Sequence, residues 1–178
     1  LWSRKEILEK IPPLFGGGEM IQDVFEETST WAELPHKFEA GTPAIAEAIG
    51  LAEAINYINT IGLNKIHEYE KTITRYLFEK LNQIENIAIL GPSPEIDPDR
   101  ASLATFYIKN IHSNDIAEIL DSKGICIRSG HHCCQPLHRY IGIKSTARIS
   151  MNFTTNKEEI DIFIEKLKDT IDFLKINS

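Results

Sequence analysis

The chain has 178 residues, of which 19 are basic and 26 acidic, and its formal net charge at pH 7 is −7. Hydrophobic residues make up 42% and charged residues 25%, the usual balance of a globular protein. The acidic excess argues against nucleic acid as the main partner, because phosphate binding needs clustered lysine and arginine. No run approaches the roughly 20 apolar residues of a membrane-spanning helix, so a membrane protein is not expected.

The N-terminal sequence and the cysteines give expectations about the origin of the chain and its compartment. The opening letters LWSRK lack the apolar segment that follows the basic start of a signal peptide. They also lack an initial methionine, so we expect the chain to be cut from a longer one. Three cysteines, Cys126, Cys133 and Cys134, are too few and too close together for a disulfide framework. Their odd number favours a reducing compartment and suggests that one thiol is reactive.

The first predicted elements are two helices separated by an irregular stretch. Ser3 is predicted to cap a short helix through Leu8, and three glycines at 16–18 follow. Thr42 is predicted to be the N-cap of a second helix, with Pro43 as its first residue. Its apolar residues recur at helical spacing and alanines fill most of the rest, so this helix is expected to be buried.

The remaining pattern alternates between helical and strand-like segments. In chain order we predict a helix over 63–85, strands over 87–90 and 103–108, a helix over 113–122, strands over 125–128 and 147–153, and a helix from 157. Helices and strands without regular alternation indicate an α+β domain, with helices packed on a small antiparallel sheet.

The segment RSGHHCCQP at 128–136 is the most unusual in the chain. It is expected to be an exposed connection, where functional groups are often placed. Its two histidines and two cysteines are poorly spaced for a metal, because adjacent side chains diverge and no second ligand pair follows. A reactive thiol is the other interpretation, since Arg128 and the histidines would stabilise a thiolate. Two incidental surface thiols remain an alternative.

Three further positions have interpretations of their own. Cys126 lies between isoleucines and is predicted to be buried in the core. Arg148 begins a strand and needs an anionic partner, which is either a bound carboxylate or one of the chain's acids. Gly41 and Thr42 precede a helix, where they would either bind a phosphate or simply cap the helix.

These motifs resemble SufS-type (group II) cysteine desulfurases, class V aminotransferase-like enzymes that use pyridoxal 5'-phosphate (PLP). The family signature has the form R-[ST]-G-H-H-C-[AT]-[QM]-P, and the segment 128–136 matches it at every position except 134. Other stretches agree in the same order: LFGGGEMI at 14–21, KFEAGTPAIAEAIGLAEAINYI at 37–58, and TARIS with FTTNKEEID within 146–161. The resemblance implies the α/β PLP-dependent transferase fold (type I). Residues 1–60 would be the end of the large PLP-binding domain with a bridging helix, and 61–178 the small C-terminal α+β domain.

The resemblance also implies roles for particular residues. The enzyme would convert L-cysteine to L-alanine and leave a persulfide on Cys133, for use in iron–sulfur cluster assembly. Arg148 would bind the substrate carboxylate and Arg128 would line the same pocket. Thr42, with Gly41, would reach the PLP phosphate of the partner subunit in a homodimer. A sulfur acceptor of the SufE/SufU type and a cytoplasmic location, or alternatively the plastid stroma, would follow, with no metal.

Two departures from the family limit what is expected. The residue after the nucleophile is usually Ala or Thr, but here it is Cys134, which would be able to compete for the persulfide or resolve it. The family's Schiff-base lysine lies upstream of the matching segment, so this chain alone is expected neither to hold PLP covalently nor to release alanine. Selenocysteine lyase activity, or a non-catalytic domain for dimerisation or sulfur-acceptor binding, remains an alternative.

Overall fold

The computed structural model describes residues 2–176, which form two compact units divided between Thr60 and Ile61. The first unit contains helix α1 (Lys5–Leu8), a hairpin of strands β1 (Ile21–Val24) and β2 (Ser29–Trp31), and helix α2 (Ile45–Ile61), whose last residue falls beyond the division. The hairpin is not predicted from the sequence. Helix α1 is predicted, although Arg4 rather than Ser3 precedes it and provides no side-chain cap.

Helix α2 corrects two predictions. It begins at Ile45, so Thr42 is not its N-cap and Pro43 is not its first residue; a short bond of 2.8 Å from Ile45 N to Pro43 O turns the chain before the helix. No residue of α2 is buried, although a buried helix is predicted; Ile49 is 67% exposed. The physical reason is that the described part of this unit buries only one large apolar side chain, Met20, and so provides no layer against which α2 could pack.

The second unit is the predicted α+β domain. Its antiparallel sheet has the strand order β3-β4-β6-β5, and four helices accompany it. The strands are β3 (Ile87–Leu90), β4 (Leu103–Ile108), β5 (Arg128–Gly130) and β6 (Thr146–Ser150). The helices are α3 (Leu63–Leu81), α4 (Ser113–Asp121), α5 (Gln135–Ile141) and α6 (Lys157–Ile176).

One face of this sheet carries the hydrophobic core. Side chains alternate between the faces of a strand, and Ala104, Phe106 and Ile108 of β4 are all buried, as is Ala147 of β6. The apolar faces of α3, α4 and α6 cover them with Leu77, Ile116, Leu120, Ile160, Phe163 and Leu167. The residues that alternate with these buried ones in β4 and β6 therefore point to the opposite face of the sheet, away from these helices.

The structure corrects the predicted strand over 125–128 and the burial of Cys126. Residues 125–127 are not in a strand, because Ile125 N bonds to Leu120 O at 2.9 Å and the backbone closes the end of α4 instead. Cys126 is exposed, with its Sγ 3.8 Å from Asp121 Oδ1. The strand begins only at Arg128.

Smaller differences concern element ends. Strand β6 stops at Ser150 rather than at residue 153, because the Asn152 side chain accepts a hydrogen bond from Thr154 N and forms a turn. Helix α4 is capped by the His112 side chain, while Ser113 is its buried first residue. Within residues 2–176, no helix combines the length and apolar character required to cross a membrane.

Candidate functional site

The two arginines singled out in the sequence lie opposite each other. The register of β5 and β6 pairs Arg128 directly with Arg148. Arg148 follows the core residue Ala147, so the side chains of Arg148 and Arg128 point to the sheet face away from the core helices. The sheet therefore presents two guanidinium groups side by side on that face.

Neither guanidinium has an acidic partner among the described residues. The ion pairs found there are formed by lysines and a histidine and do not include Arg128 or Arg148. The Nε atom of Arg148 is buried and lacks a hydrogen-bond partner. Like charges directly opposite each other on neighbouring strands are unfavourable. Of the two partners expected for Arg148, an acid of the chain is therefore not found, and a bound anion would relieve the repulsion.

A tight loop carries the nucleophile candidate next to this pair. After Gly130, which has a φ of 107°, His132 and Cys133 both have positive φ values of 51° and 61°. Non-glycine residues with positive φ are uncommon and costly, and they concentrate at functional sites. A hydrogen bond of 2.9 Å from Cys134 N to His131 O closes the loop, and α5 begins immediately afterwards with Pro136 in its first turn.

The loop places the Cys133 thiol against Arg128. The Arg128 Nη2–H group donates to Cys133 Sγ at 3.3 Å, and the Cys133 side chain is exposed. A guanidinium at this distance stabilises negative charge on sulfur, which is the form that acts as a nucleophile. The structure thus brings together three of the five predicted site residues, Cys133, Arg128 and Arg148.

The Cys134 thiol has a different set of partners. Its Sγ donates to His131 O at 2.9 Å and lies 3.7 Å from His138 Nδ1. His138 is only 3% exposed, and its Nε2 lies 3.0 Å from Thr146 Oγ1 in β6. The His131 ring meets the His138 ring edge-on at 5.3 Å. The two adjacent thiols therefore occupy chemically different surroundings.

His132 belongs to this loop and lies near the two arginines. Both of its ring nitrogens are buried without a hydrogen-bond partner. Burial lowers the pKa of His132 below its ordinary value of 6.5, and the neighbouring charges of Arg148 and Arg128 lower the pKa further. We therefore expect a neutral imidazole here at pH 7.

Sequence reasoning missed the structural roles of His132 and His138. The HH doublet in the signature was available as a signal for His132, but adjacent histidines alone do not reveal which one is buried. His138 stands four residues after Cys134, the spacing of neighbours on a helix. That signal depends on α5, which is not predicted.

Gly41 and Thr42 belong to the first unit and are described by themselves. Gly41 has a φ of 82°, which favours glycine, and its N–H donates to Gly18 O at 2.9 Å. The Thr42 side chain is exposed and makes no hydrogen bond within residues 2–176. Their role at a phosphate stays a prediction. Within the same residues, no group of three or more His, Cys, Asp or Glu side chains is arranged to hold a metal ion.

Known proteins are similar to this chain in sequence and in fold. The family described as "Aminotransferase class-V" matches residues 1–163. A protein of Synechocystis sp. described as "Probable cysteine desulfurase" is 51% identical over 173 residues, which cover 97% of this chain but 41% of the relative. This chain thus spans about two fifths of the length of that relative.

Solved structures agree with the sequence comparison. The cysteine desulfurase CsdA from Escherichia coli matches 97% of this chain and 42% of its own, with a TM-score of 0.84 and 26% identity. A cysteine desulfurase from Thermococcus onnurineus NA1 matches 95% of this chain and 42% of its own, with a TM-score of 0.83 and 35% identity. The expected resemblance and fold, that of PLP-dependent transferases, are confirmed, and the chain belongs to the class V aminotransferase family.

Proposed function

We propose that this chain is the C-terminal part of a PLP-dependent cysteine desulfurase, which moves sulfur from L-cysteine to Cys133 and leaves L-alanine. The observation that carries the proposal is the Arg128–Arg148 pair, which has no acidic partner among the described residues and adjoins the Cys133 thiol. A free amino acid offers a carboxylate for the arginines and a sulfur atom for the thiol.

The arginines supply binding and orientation. A guanidinium holds a carboxylate through two parallel hydrogen bonds, and such charge-assisted pairs are stronger than neutral ones. Arg148 has a buried Nε without a partner, which a substrate carboxylate would satisfy. The bound anion would also offset the repulsion between Arg148 and Arg128, so substrate binding would stabilise this edge of the sheet.

Cys133 supplies the nucleophile. Its Sγ attacks the sulfur of the substrate, an S–S bond forms, and the C–S bond of the substrate breaks. The carbon skeleton takes up a proton and leaves as alanine, so one thiol plus cysteine gives one persulfide plus alanine. Arg128 stabilises the thiolate before the attack, since its Nη2 lies 3.3 Å from Cys133 Sγ.

The donor groups in this chain fit part of a PLP site. When bound, PLP supplies an electron sink for the carbon skeleton of the substrate. The exposed Thr42 hydroxyl, which has no partner within the described residues, would bind the PLP phosphate with Gly41 from across a homodimer. The lysine that anchors PLP would belong to the longer protein.

The exposure of Cys133 supports a role in sulfur delivery. A persulfide on this loop would be accessible to a second protein, so we propose a sulfur acceptor of the SufE/SufU type and a role in iron–sulfur cluster assembly. A cytoplasmic location, or the plastid stroma, is part of the same proposal. Selenocysteine would fit the same arginines and thiol, and only turnover distinguishes a selenocysteine lyase from a cysteine desulfurase.

The proposal is tested with a chimera in which this chain replaces the matching segment of the Synechocystis relative. With PLP and L-cysteine, the chimera is expected to release alanine, while the 178-residue chain alone with PLP is expected to release none. Cys133→Ser is expected to abolish alanine release with a reductant present, and Cys126→Ser, which changes another exposed thiol, is the matched control. Full activity of Cys133→Ser would contradict the proposal, and faster turnover of selenocysteine than of cysteine would favour the lyase.

A further inference from the structure

We propose that Cys134 is a second sulfur carrier, which accepts the outer sulfur of the Cys133 persulfide. This inference rests on the proposed function, because that function supplies the persulfide. It arises from the contrast between the two adjacent thiols. Cys133 Sγ faces a cation, whereas Cys134 Sγ faces a carbonyl oxygen and an imidazole.

The surroundings of Cys133 make its sulfur a good leaving group. In a sulfur transfer, the sulfur that releases the persulfide departs as a thiolate, and thiolates with a stabilised charge leave faster. The Arg128 guanidinium, 3.3 Å from Cys133 Sγ, is placed to stabilise that charge. The group that promotes the first attack by Cys133 therefore also promotes its departure.

Cys134 is equipped to attack, because a fixed imidazole lies beside its sulfur. Nδ1 of His138 is 3.7 Å from Cys134 Sγ, and Nε2 is 3.0 Å from Thr146 Oγ1. The Thr146 hydroxyl donates its own proton to Gly130 O at 3.4 Å, so its oxygen is available to accept a hydrogen bond from Nε2–H. This arrangement leaves the lone pair of Nδ1 directed towards the loop.

The backbone is consistent with the same tautomer. Nδ1 also lies 3.2 Å from Cys134 O, but that carbonyl already accepts helix amides from Leu137 at 3.1 Å and from His138 at 3.3 Å. It therefore does not need an Nδ1–H donor. Once the Cys134 S–H group turns from His131 O towards Nδ1, 3.7 Å away, an unprotonated Nδ1 would take its proton, the step that turns a thiol into a nucleophile.

The transfer balances without an external oxidant. Cys134 Sγ, as a thiolate, attacks the outer sulfur of Cys133–S–SH and forms a new S–S bond. The S–S bond to Cys133 breaks, and Cys133 departs as a thiolate. The proton that His138 removed from Cys134 passes to Cys133, so a thiol and a persulfide exchange places.

A Cys133–Cys134 disulfide with release of sulfide is the competing reaction. It would bring the two sulfurs to about 2 Å and would remove both from their present partners. In the transfer, the outer sulfur atom only has to bridge the Sγ atoms of Cys133 and Cys134. The two Sγ atoms can then stay roughly 4 Å apart. Cys134 is also less exposed than Cys133, so the transfer would hold the sulfur in a more protected position and free Cys133 for another turnover.

The experiment bypasses the desulfurase reaction by loading the 178-residue chain with a limiting amount of cysteine trisulfide, a sulfane-sulfur donor. Cys126→Ser is introduced to remove the third thiol. Samples are alkylated at increasing times, and fragmentation of the tryptic peptide 129–139 locates the added sulfur. It is expected on Cys133 first and on Cys134 later. With Cys134→Ser it is expected to stay on Cys133, and with Cys133→Ser the loading of Cys134 is expected to be at least about tenfold slower.

His138→Gln tests the role of the imidazole. Loading of Cys133 is expected to be unchanged, whereas transfer to Cys134 is expected to slow by about a hundredfold or more, the loss typical of a missing general base. Thermal unfolding of each variant shows whether the buried substitution is tolerated. If His138→Gln does not fold, the comparison with Cys134→Ser decides the question.

Sulfur that remains on Cys133 in the Cys126→Ser chain would overturn the inference, as would release of sulfide with a Cys133–Cys134 disulfide. These outcomes are independent of alanine release by the chimera. Alanine release with sulfur held only on Cys133 would refute the relay and leave the proposed function intact. Transfer in the donor-loaded chain, combined with a chimera that releases no alanine, would refute the proposed function instead.

Discussion

At the scale of single residues, Arg148 has an unusual position. It stands opposite Arg128 and has a buried Nε, and no acid among the described residues pairs with it. A surface arginine with these features would lower stability without benefit. The pair is accounted for if an anion is bound there during the reaction.

Replacing Arg148 with lysine tests this account. A lysine keeps the charge but loses the bidentate geometry, so the KM of the chimera for L-cysteine is expected to rise about tenfold or more, since a hydrogen bond to a charged group contributes about 1.5–3 kcal/mol. The measurement is alanine release as a function of cysteine concentration. Arg139→Lys, at an exposed position of α5, is the control and is expected to leave the KM unchanged. An unchanged KM in Arg148→Lys would mean that Arg148 does not hold the carboxylate.

The surroundings of His132 predict how the free energy of unfolding depends on pH. Burial and the two arginines lower the pKa of His132 below 6.5 in the folded chain, so the unfolded chain binds a proton that the folded chain does not. The free energy of unfolding should therefore fall as the pH drops below about 6.5. His132→Gln should lose this part of the pH dependence.

The measurement is denaturant unfolding of the chain at pH 7 and pH 5. The decrease in stability between the two values is expected to be smaller for His132→Gln than for the parent. His36→Gln, at an exposed histidine of the first unit, should behave like the parent. An identical decrease in His132→Gln and the parent would show that His132 is not held neutral by its surroundings.

At the scale of elements, β4 holds the second unit together. Its buried side chains lie under three helices, and Phe106 is fully buried at the centre of the sheet. Phe106→Ala is expected to lower the free energy of unfolding by about 3–5 kcal/mol, the usual cost of removing a buried aromatic ring. Ile162→Ala, at a half-exposed position of α6, is expected to cost less than about 1 kcal/mol. Denaturant unfolding measures both, and a similar cost for the two would contradict the proposed core.

The sequence predicts this layer well because its signals are strong and local. The β-branched and aromatic residues of LATFYI predict β4 with its observed bounds. Helix α6, which is predicted from its apolar stripe, begins at the predicted residue, Lys157. The segment 125–130 is harder. The letters ICI look like a strand, but the end of α4 takes up the backbone there, so β5 begins at Arg128 and Cys126 is exposed.

The candidate site is predicted only in part for a related reason. The family signature identifies Cys133 and Arg128, and the matching stretch TARIS identifies Arg148. The strand register brings the two arginines together, and the loop adds Cys133. The partners of Cys134 depend on the loop and on α5, and a short helix beginning with QP next to two cysteines gives no clear periodic pattern. The environment of His132 depends on Arg148 of β6, which is distant in the chain, as well as on the nearby Arg128.

At the scale of the whole molecule, the main difference from expectation is α2. Its isoleucines are exposed, although a helix apolar on most sides is predicted to be buried. The chain spans 41% of the Synechocystis relative. Under the proposed function, the remainder of the enzyme and a partner subunit would cover α2, since large apolar surfaces usually mark an interface.

Under the proposed function, sulfur from L-cysteine becomes attached to Cys133. The most direct measurement uses the chimera carrying Cys134→Ser, which prevents any further transfer, together with PLP and L-cysteine labelled with heavy sulfur. After alkylation, mass spectrometry of the peptide 129–139 is expected to find the heavy sulfur on Cys133 in an amount matching the alanine released in the first turnover. Alanine release with no heavy sulfur on Cys133 would contradict the proposed function.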